Sequence, residues 1–249
     1  MKLVKPDELV ELGSGSSTKT RLLLEAMHGT GGRWYVPIEI SETALYQAAK
    51  MLSSDYDWLH IDGYVGNYTT DLPLLQRRGR RLLTFLGSSL GNYTNETRAE
   101  FLAMLGNALQ PGDALLLGID LVKDEETMVL AYNDSAGISA RFNLNVLVML
   151  NRELGADFDV SNFTHSPVWN AENSGVESHI RANKGMTVSL PGLGTSIELG
   201  EGEGIFPAIS CKFTREGVTR ELGDAGLEVT QWYTDSAAMY GVLVAAPKI

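Results

Sequence analysis

Over its first 120 residues the chain alternates short apolar runs with stretches whose apolar residues recur every three or four positions. No other feature constrains the fold as much. Short, fully apolar strands separated by amphipathic helices bury both kinds of apolar surface by forming a parallel sheet covered on its two faces. The strand-like runs are ELVELG (8–13), RWYVPIEI (33–40), WLHIDGY (58–64), RLLTFLG (81–87) and DALLLGID (113–120). Between them STKTRLLLEAMH (17–28), SETALYQAAKML (41–52) and TNETRAEFLAMLGNAL (94–109) have helical spacing, with Ser17 and Ser41 placed to cap the first two. Leu22, Leu23, Ala26 and Met27 are expected on the inner side of the first helix. The expected class is a doubly wound α/β fold.

The pattern changes after Asp120. Residues 124–155 predict two consecutive helices, and 160–213 alternate like antiparallel strands with turns at NSG, NKG and PGLG. A helix at 214–227 and two strands, EVTQWYTD and MYGVLVAAP, complete the chain. The simplest organisation is one α/β domain, 1–120 and 211–249, interrupted by an α+β insertion at 121–210, with no internal repeat or low-complexity linker.

The 249 residues include 31 acids and 20 bases, a formal net charge of −11. Such a surface repels nucleic-acid phosphates and anionic lipid, so neither is expected as a partner. The one basic cluster, RRGRR (77–81), reads as a solvated loop face ahead of a strand. A single cysteine, Cys211, allows no internal disulfide and reads as a buried small hydrophobe. With no targeting leader evident, a reducing, cytoplasmic setting is expected. The apolar runs are far shorter than the ~20 residues of a spanning helix. His28, His60, His165 and His179 are scattered without ligand spacing, so no metal is expected. The chain is taken to be a monomer.

Chemistry enters at the end of the first strand, in ELGSGSSTKT (11–20). Glycines there let a ligand approach the backbone, and the next helix points free amides at it. Thr18 stands where a dinucleotide fingerprint has its third glycine, which argues against a nicotinamide, and no G-K-[ST] closes a P-loop. Glu39 ends the next strand and is placed to accept ribose hydroxyls, although an exposed strand-end charge fits it equally well. GYVGNY (63–68) adds a third strand end, where Asn67 can meet an adenine edge. Three successive strand ends offering glycine, acid and amide match the nucleoside site of class I methyltransferases.

FLGSSLGNYT (85–94), LLLGIDLVKD (115–124), AYNDSAGISARFNLNVLVMLNRELGADFD (131–159) and SCKF (210–213) resemble the histidine-specific S-adenosylmethionine-dependent methyltransferases, the family of ergothioneine-biosynthesis histidine Nα-methyltransferase. The resemblance runs from about residue 8 to the end of the chain. It implies a class I methyltransferase (Rossmann-like) sheet with an inserted α+β substrate-binding subdomain, and S-adenosyl-L-methionine as cofactor. It also implies a free amino acid as substrate, histidine being carried to trimethylhistidine (hercynine). By matching positions, Gly13, Ser14, Gly15, Glu39 and Asn67 would bind the cofactor, with Glu39 and Asn67 standing where most relatives have aspartate. Asn92 and Tyr132 would grip the substrate carboxylate; by themselves they read as a turn asparagine and a core tyrosine. The Gly87 carbonyl and Ser89 would orient the amine, and Ser210 would hydrogen-bond the imidazole.

Three departures bear on this. Ala208 stands where histidine-specific members carry a glutamate that reads the imidazole N–H, and Ser178 where a methionine lines the pocket. A site without its polar reader discriminates poorly, so a bulkier aromatic such as tryptophan becomes a candidate substrate, unless Glu201, Glu203 or His179 replaces the acid. Family members also carry several tens of residues ahead of the glycine turn; ten stand here, so the pocket is expected to lack part of a wall. The competing expectation is a degenerate member that binds the cofactor with little or no catalysis. A nicotinamide oxidoreductase rests on the generic fold alone.

Overall fold

The structure, a computed structural model, describes residues 1–248, apart from the side chain of Pro207. The first half of the chain forms β1 (Glu8–Leu12), α1 (Thr20–His28), β2 (Trp34–Glu39), α2 (Glu42–Asp55), β3 (His60–Ile61), β4 (Tyr64–Val65), α3 (Tyr68–Asp71), β5 (Arg81–Phe85), α4 (Asn95–Asn107) and β6 (Ala114–Asp120). Two helices follow, α5 (Glu125–Leu130) and α6 (Ile138–Leu154), and then five strands. These are β7 (Phe163–Asn170), β8 (Gly175–Ala182), β9 (Met186–Leu190), β10 (Thr195–Leu199) and β11 (Gly204–Cys211). The last elements are α7 (Arg215–Asp224), β12 (Leu227–Thr234) and β13 (Tyr240–Pro247). They group into two compact units: Met1–Leu90, Asn95–Leu121 and Phe213–Ile249 in the first, Gly91–Thr94 and Val122–Lys212 in the second.

The first unit is built on a sheet ordered β12-β13-β6-β5-β1-β2-β3, with β4 also paired to β2. β1, β2, β3, β5 and β6 run parallel, and β13 enters antiparallel between β6 and β12. The chain winds outward from β1 to β2 and β3, then restarts on the other side of β1 with β5 and β6. The topological switch therefore lies between β1 and β5, whose carboxyl ends open the crevice where α/β folds bind ligands. Leu9, Leu24, Met27, Tyr35, Leu52, Leu59 and Leu82 form one core cluster that joins the sheet to α1 and α2.

Both central strands are buried at every position, although β1 carries Glu8 and Glu11 and β5 begins with Arg81. A charge in such a place has to be paired. Arg81 Nε donates to Glu8 Oε1 at 2.7 Å, with the two side chains 3% and 0% exposed. The RRGRR segment is thus only in part a solvated face: Gly79 and Arg80 are exposed, Arg77 and Arg78 are half-buried, and Arg81 is buried. Arg77 donates to both Asp113 oxygens at 2.9 and 2.7 Å, Arg80 donates to the Val4 carbonyl, and Arg78 pairs with Asp62 while lying over the Trp34 ring. Glu8 and Asp113, at the starts of β1 and β6, draw Arg81 and Arg77 inward, a preference invisible in the local sequence.

Ser41 caps α2, its Oγ accepting from Ala44 N. Ser17 does not cap α1. Its φ of 52° and the 2.8 Å contact from its hydroxyl to Tyr35 Oη hold it in the glycine turn, and the helix begins at Thr20. The shifted start turns Thr20, Leu24 and Met27 inward and leaves Leu22 75% exposed, contrary to expectation. The expected third strand is broken at Asp62–Gly63 into the two short strands β3 and β4, each paired to β2.

In the second unit β11, β8 and β7 form an antiparallel sheet, and β9 and β10 pair as a hairpin. The turns expected at NSG, NKG and PGLG separate these strands in that order. Leu147 of α6 packs with Phe158, Phe163, Ile180, Val188 and Leu199 as a second core.

Candidate active site

At the switch point the chain leaves β1 through Gly13 (φ 70°) and Gly15 (φ 51°), left-handed conformations that favour glycine. Gly13 N donates to the Ile38 carbonyl, and Gly15 N donates to Glu39 Oε2 at 2.9 Å. Ser41 N holds the other Glu39 oxygen at 3.0 Å. The glycine turn and the acid ending β2 are therefore joined. Each carboxylate oxygen still has lone-pair capacity for a hydroxyl donor. A cleft of about 270 Å³ opens beside them, lined by the turn from Gly13 to Lys19, by Glu11, and by Leu86 and Gly87 after β5. Ser14 Oγ lies here, buried and without a hydrogen-bond partner. A methyl group built on Gly15 would meet nothing within 4 Å. Open glycine backbone, an orphaned hydroxyl and a held acid suit a nucleoside carrying a polar tail. A larger cavity of about 540 Å³ lies near the opposite strand ends, with mostly apolar walls from Val4, Leu82, Pro111, Val242 and Val244, and holds no predicted site residue.

Beneath the turn lies a network that sequence reasoning missed. Glu11 accepts from Thr20 Oγ1 at 2.7 and 2.8 Å and from the Tyr35 hydroxyl, which in turn meets Ser17. Burial pushes the Glu11 carboxyl above its ordinary range, against the hydrogen bonds from Tyr35 and Thr20, and burial beside Glu11 raises the Tyr35 phenol. A carboxyl that holds its proton more tightly when folded adds stability that is full below its unfolded pKa and is lost as pH rises through the folded value. Relative to Glu11→Gln, the wild-type chain should therefore lose stability on going from mildly acidic to neutral pH. Denaturant titrations of both proteins across that range check this, and a constant difference would refute it.

Asn67 follows Gly66, whose N–H donates to the Glu39 carbonyl, so the chain brings it close to the acid along the sheet edge. Its Oδ1 accepts from Thr69 N at 3.0 Å and Thr69 Oγ1 at 2.8 Å, capping α3. Gly87 has φ 87°, and its carbonyl accepts from the Tyr240 hydroxyl at 2.6 Å. Burial raises the Tyr240 phenol, keeping it a donor. Ser89 opens the short 3₁₀ turn Ser89–Asn92, whose first two residues belong to the first unit and whose last two belong to the second.

In the second unit Gly91 packs directly on β11. A methyl group there would lie 2.5 Å from the Cys211 carbonyl oxygen. The buried Cys211 thiol donates to the Tyr93 carbonyl at 3.7 Å, so the turn carrying Asn92 is fixed to the strand carrying Ser210. Asn92 is exposed. Tyr132 Oη donates to Ser210 Oγ at 2.7 Å, uniting two predicted site residues. Across the β8/β11 ladder Ala208 pairs with Ser178 and Ser210 with Val176, so all four share one sheet face. The ladder shifts register between Ile205 and Ala208. Ser178 and Ser210 are buried, and Ala208 is exposed. His179 points to the opposite face and pairs with Glu177 at 3.0 Å, while Glu203 binds the Gly200 amide in the preceding turn.

His165 and Lys212 were not foreseen here. His165 is buried on the Ser178 face with neither ring nitrogen hydrogen-bonded, and burial, opposed by Asp134, holds its pKa below the ordinary value. Lys212, 4% exposed, donates to Tyr132 Oη at 2.7 Å and to Ser210 Oγ at 2.8 Å. The i, i+2 spacing of Ser210 and Lys212 was the available signal. Among the described residues no group of three or more His, Cys, Asp or Glu side chains could hold a metal ion, and no helix is long and apolar enough to cross a membrane.

The sheet order, with an antiparallel strand inserted beside β6 and a glycine turn at the switch, defines a class I, Rossmann-like S-adenosylmethionine-dependent methyltransferase fold. The CcbJ methyltransferase from Streptomyces caelestis shares it, with a TM-score of 0.53 at 14% identity over 100% of this chain and 86% of that one. The chain belongs to the histidine-specific, S-adenosylmethionine-dependent methyltransferase family, whose model matches residues 1–247. It is 44% identical over 240 residues to a histidine N-alpha-methyltransferase from Mycolicibacterium smegmatis, covering 96% of this chain and 75% of that protein. It is 42% identical over 243 residues to the enzyme of the same name from Mycobacterium tuberculosis, covering 97% and 76%. The protein is thus an S-adenosylmethionine-dependent amino-acid N-methyltransferase, and S-adenosylmethionine is its cofactor.

Proposed function

We propose that this enzyme methylates the α-amine of free histidine, as the names of its mycobacterial relatives state for them. The observation that carries this reading is the 2.7 Å bond between Tyr132 and Ser210, which joins the residue assigned to the substrate carboxylate with the one assigned to its ring. In this reading the first unit holds the cofactor and the second the amino acid. Bound S-adenosylmethionine supplies an electrophilic methyl group on a sulfonium. The Gly13–Gly15 turn and Ser14 cradle it, Glu39 accepts its ribose hydroxyls, and Asn67 meets its adenine. Asn92 and Tyr132 fix the substrate carboxylate. The Gly87 carbonyl, one lone pair taken by Tyr240, keeps the other for an amine N–H, with Ser89 two residues further along the chain. These residues align a neutral amine for in-line attack, so the rate derives from orientation and from excluding water rather than from a covalent nucleophile. Relatives named for ergothioneine biosynthesis support a place in that chemistry.

One observation favours a second reading, a pocket shifted toward tryptophan: Ser178 and Ala208, both small, are direct cross-strand neighbours beside Ser210. Mass spectrometry of products after incubation with S-adenosylmethionine and histidine or tryptophan, alongside calorimetry with S-adenosylhomocysteine, tests both. Methylated histidine is the expected product. Binding of S-adenosylhomocysteine without any methylated amino acid would instead identify a degenerate cofactor-binding member.

A further inference from the structure

Tyr240 opens β13, and its hydroxyl donates to the Gly87 carbonyl at 2.6 Å. The neighbouring strand β6 makes room for that reach. A methyl group on Gly118 would lie 2.1 Å from Tyr240 Oη and 3.4 Å from Gly87 N, so a side chain at this place would push the phenol off the carbonyl. Gly87 itself has φ 87° and lines the same cleft as the Gly13–Lys19 turn. A glycine in that conformation leaves its peptide planes with few steric limits. The bond from Tyr240 is what aims this carbonyl. With one lone pair so occupied, the oxygen keeps a single direction in which to accept another donor.

From this geometry we infer that Tyr240 is a positioning residue for methyl transfer, and that it acts only on transfers to an amine that still carries a hydrogen. The inference rests on the amino-acid reading of the site, in which the Gly87 carbonyl accepts from the substrate amine. Each transfer forms one N–C bond while the methyl–sulfur bond breaks and its electron pair returns to sulfur. The ammonium product gives a proton to water before the next transfer. In its reactive neutral form a primary amine carries two N–H bonds, its monomethyl derivative one, and its dimethyl derivative none. A fixed acceptor turns the first two so that the nitrogen lone pair faces the methyl group. It has no hold on the third. Orientation there comes from the groups that bind the carboxylate and the ring, and Tyr240 drops out of the rate.

The test is Tyr240→Phe, which removes the hydroxyl alone, in the full chain with S-adenosylmethionine. Initial rates are measured on histidine and on its α-N-methyl and α-N,N-dimethyl derivatives, or on the tryptophan series if the wild type methylates tryptophan instead. For the unmethylated and monomethyl substrates kcat should fall about tenfold while KM changes by less than about twofold, the scale of one hydrogen bond used for orientation. For the dimethyl substrate both constants should stay within about twofold of the wild type. Equal losses on all three substrates would reduce Tyr240 to a structural role, and no loss on the unmethylated amino acid would mean that the carbonyl needs no aiming. Either result overturns the inference. Where the wild type leaves the dimethyl substrate untouched, the split between the constants decides: a KM that rises as much as kcat falls, or a weakened calorimetric affinity for S-adenosylhomocysteine, overturns it. All of these outcomes leave the amino-acid reading standing. If the wild type methylates neither histidine nor tryptophan, that reading itself fails, and this inference fails with it.

Discussion

Replacing Gly91 by alanine is expected to lower kcat/KM for the amino acid about a hundredfold, the scale of loss when substrate-positioning groups shift by about 1 Å. The added methyl group would lie 2.5 Å from the Cys211 carbonyl oxygen and 3.2 Å from its nitrogen. Both are backbone atoms at the end of the β8/β11 ladder, so no rotamer relieves the clash. The Ser89–Asn92 turn has to lift off β11, and Asn92 moves with it. The nucleoside site is built from other elements, so S-adenosylhomocysteine should bind Gly91→Ala with wild-type affinity. Calorimetry and initial rates measured on the same preparation check both halves. Unchanged turnover would exclude the turn from substrate positioning, and lost cofactor affinity would mean that the substitution disrupts the whole protein.

The largest expected effect on stability comes from the Glu8–Arg81 pair. Removing one partner of a fully buried ion pair costs about 3–5 kcal/mol, because the survivor keeps its charge without compensation. For a chain of this length each kcal/mol lowers Tm by about 2–4 °C, so Arg81→Ala should melt on the order of 10 °C below the wild type. Glu8→Ala should lose a similar amount, and in addition the Arg78 amide, which donates to Glu8 Oε2 at 3.1 Å, would lose its acceptor. Replacing both members by methionine should recover most of the loss, since apolar pairs of similar volume tolerate such sites. Thermal melts of the two single variants and the double variant form the check. A double variant as unstable as the singles would place the cost in packing rather than in the orphaned charge.

The parallel core was legible because burial on both faces writes itself into the sequence as continuous apolar runs such as LLLGID, and the antiparallel strands of the second unit because NSG, NKG and PGLG punctuate them. Interactions that bridge distant stretches were not legible. The arginines of RRGRR look solvated until β1 lies beside β5 and supplies Glu8. Ser17 looks like a helix cap until Tyr35 arrives from the next strand and claims its hydroxyl. The candidate site divides in the same way. Gly13, Gly15, Glu39, Asn92, Tyr132 and Ser210 could be named from motifs, whereas the roles of Lys212 and Tyr240 depend on side-chain meetings that no local pattern encodes. Leu22 was assigned to the wrong side of its helix for a simpler reason: the glycine turn ran three residues longer than the periodicity suggested.

The place of β13 in the sheet bears on how the protein is made. It is the last strand in the chain, yet it lies between β6 and β12, and its first residue supplies the hydroxyl that holds the Gly87 carbonyl. Gly118 leaves room for that reach, since a methyl group there would come within 2.1 Å of the Tyr240 oxygen. On the ribosome, β6 therefore waits with one open edge, and the loop after β5 without its tether, until residues 240–247 have emerged. A nascent chain that stalls before residue 240 presents the apolar edge of β6 to its neighbours, so β13 guards against aggregation during synthesis as much as it tethers the loop after β5.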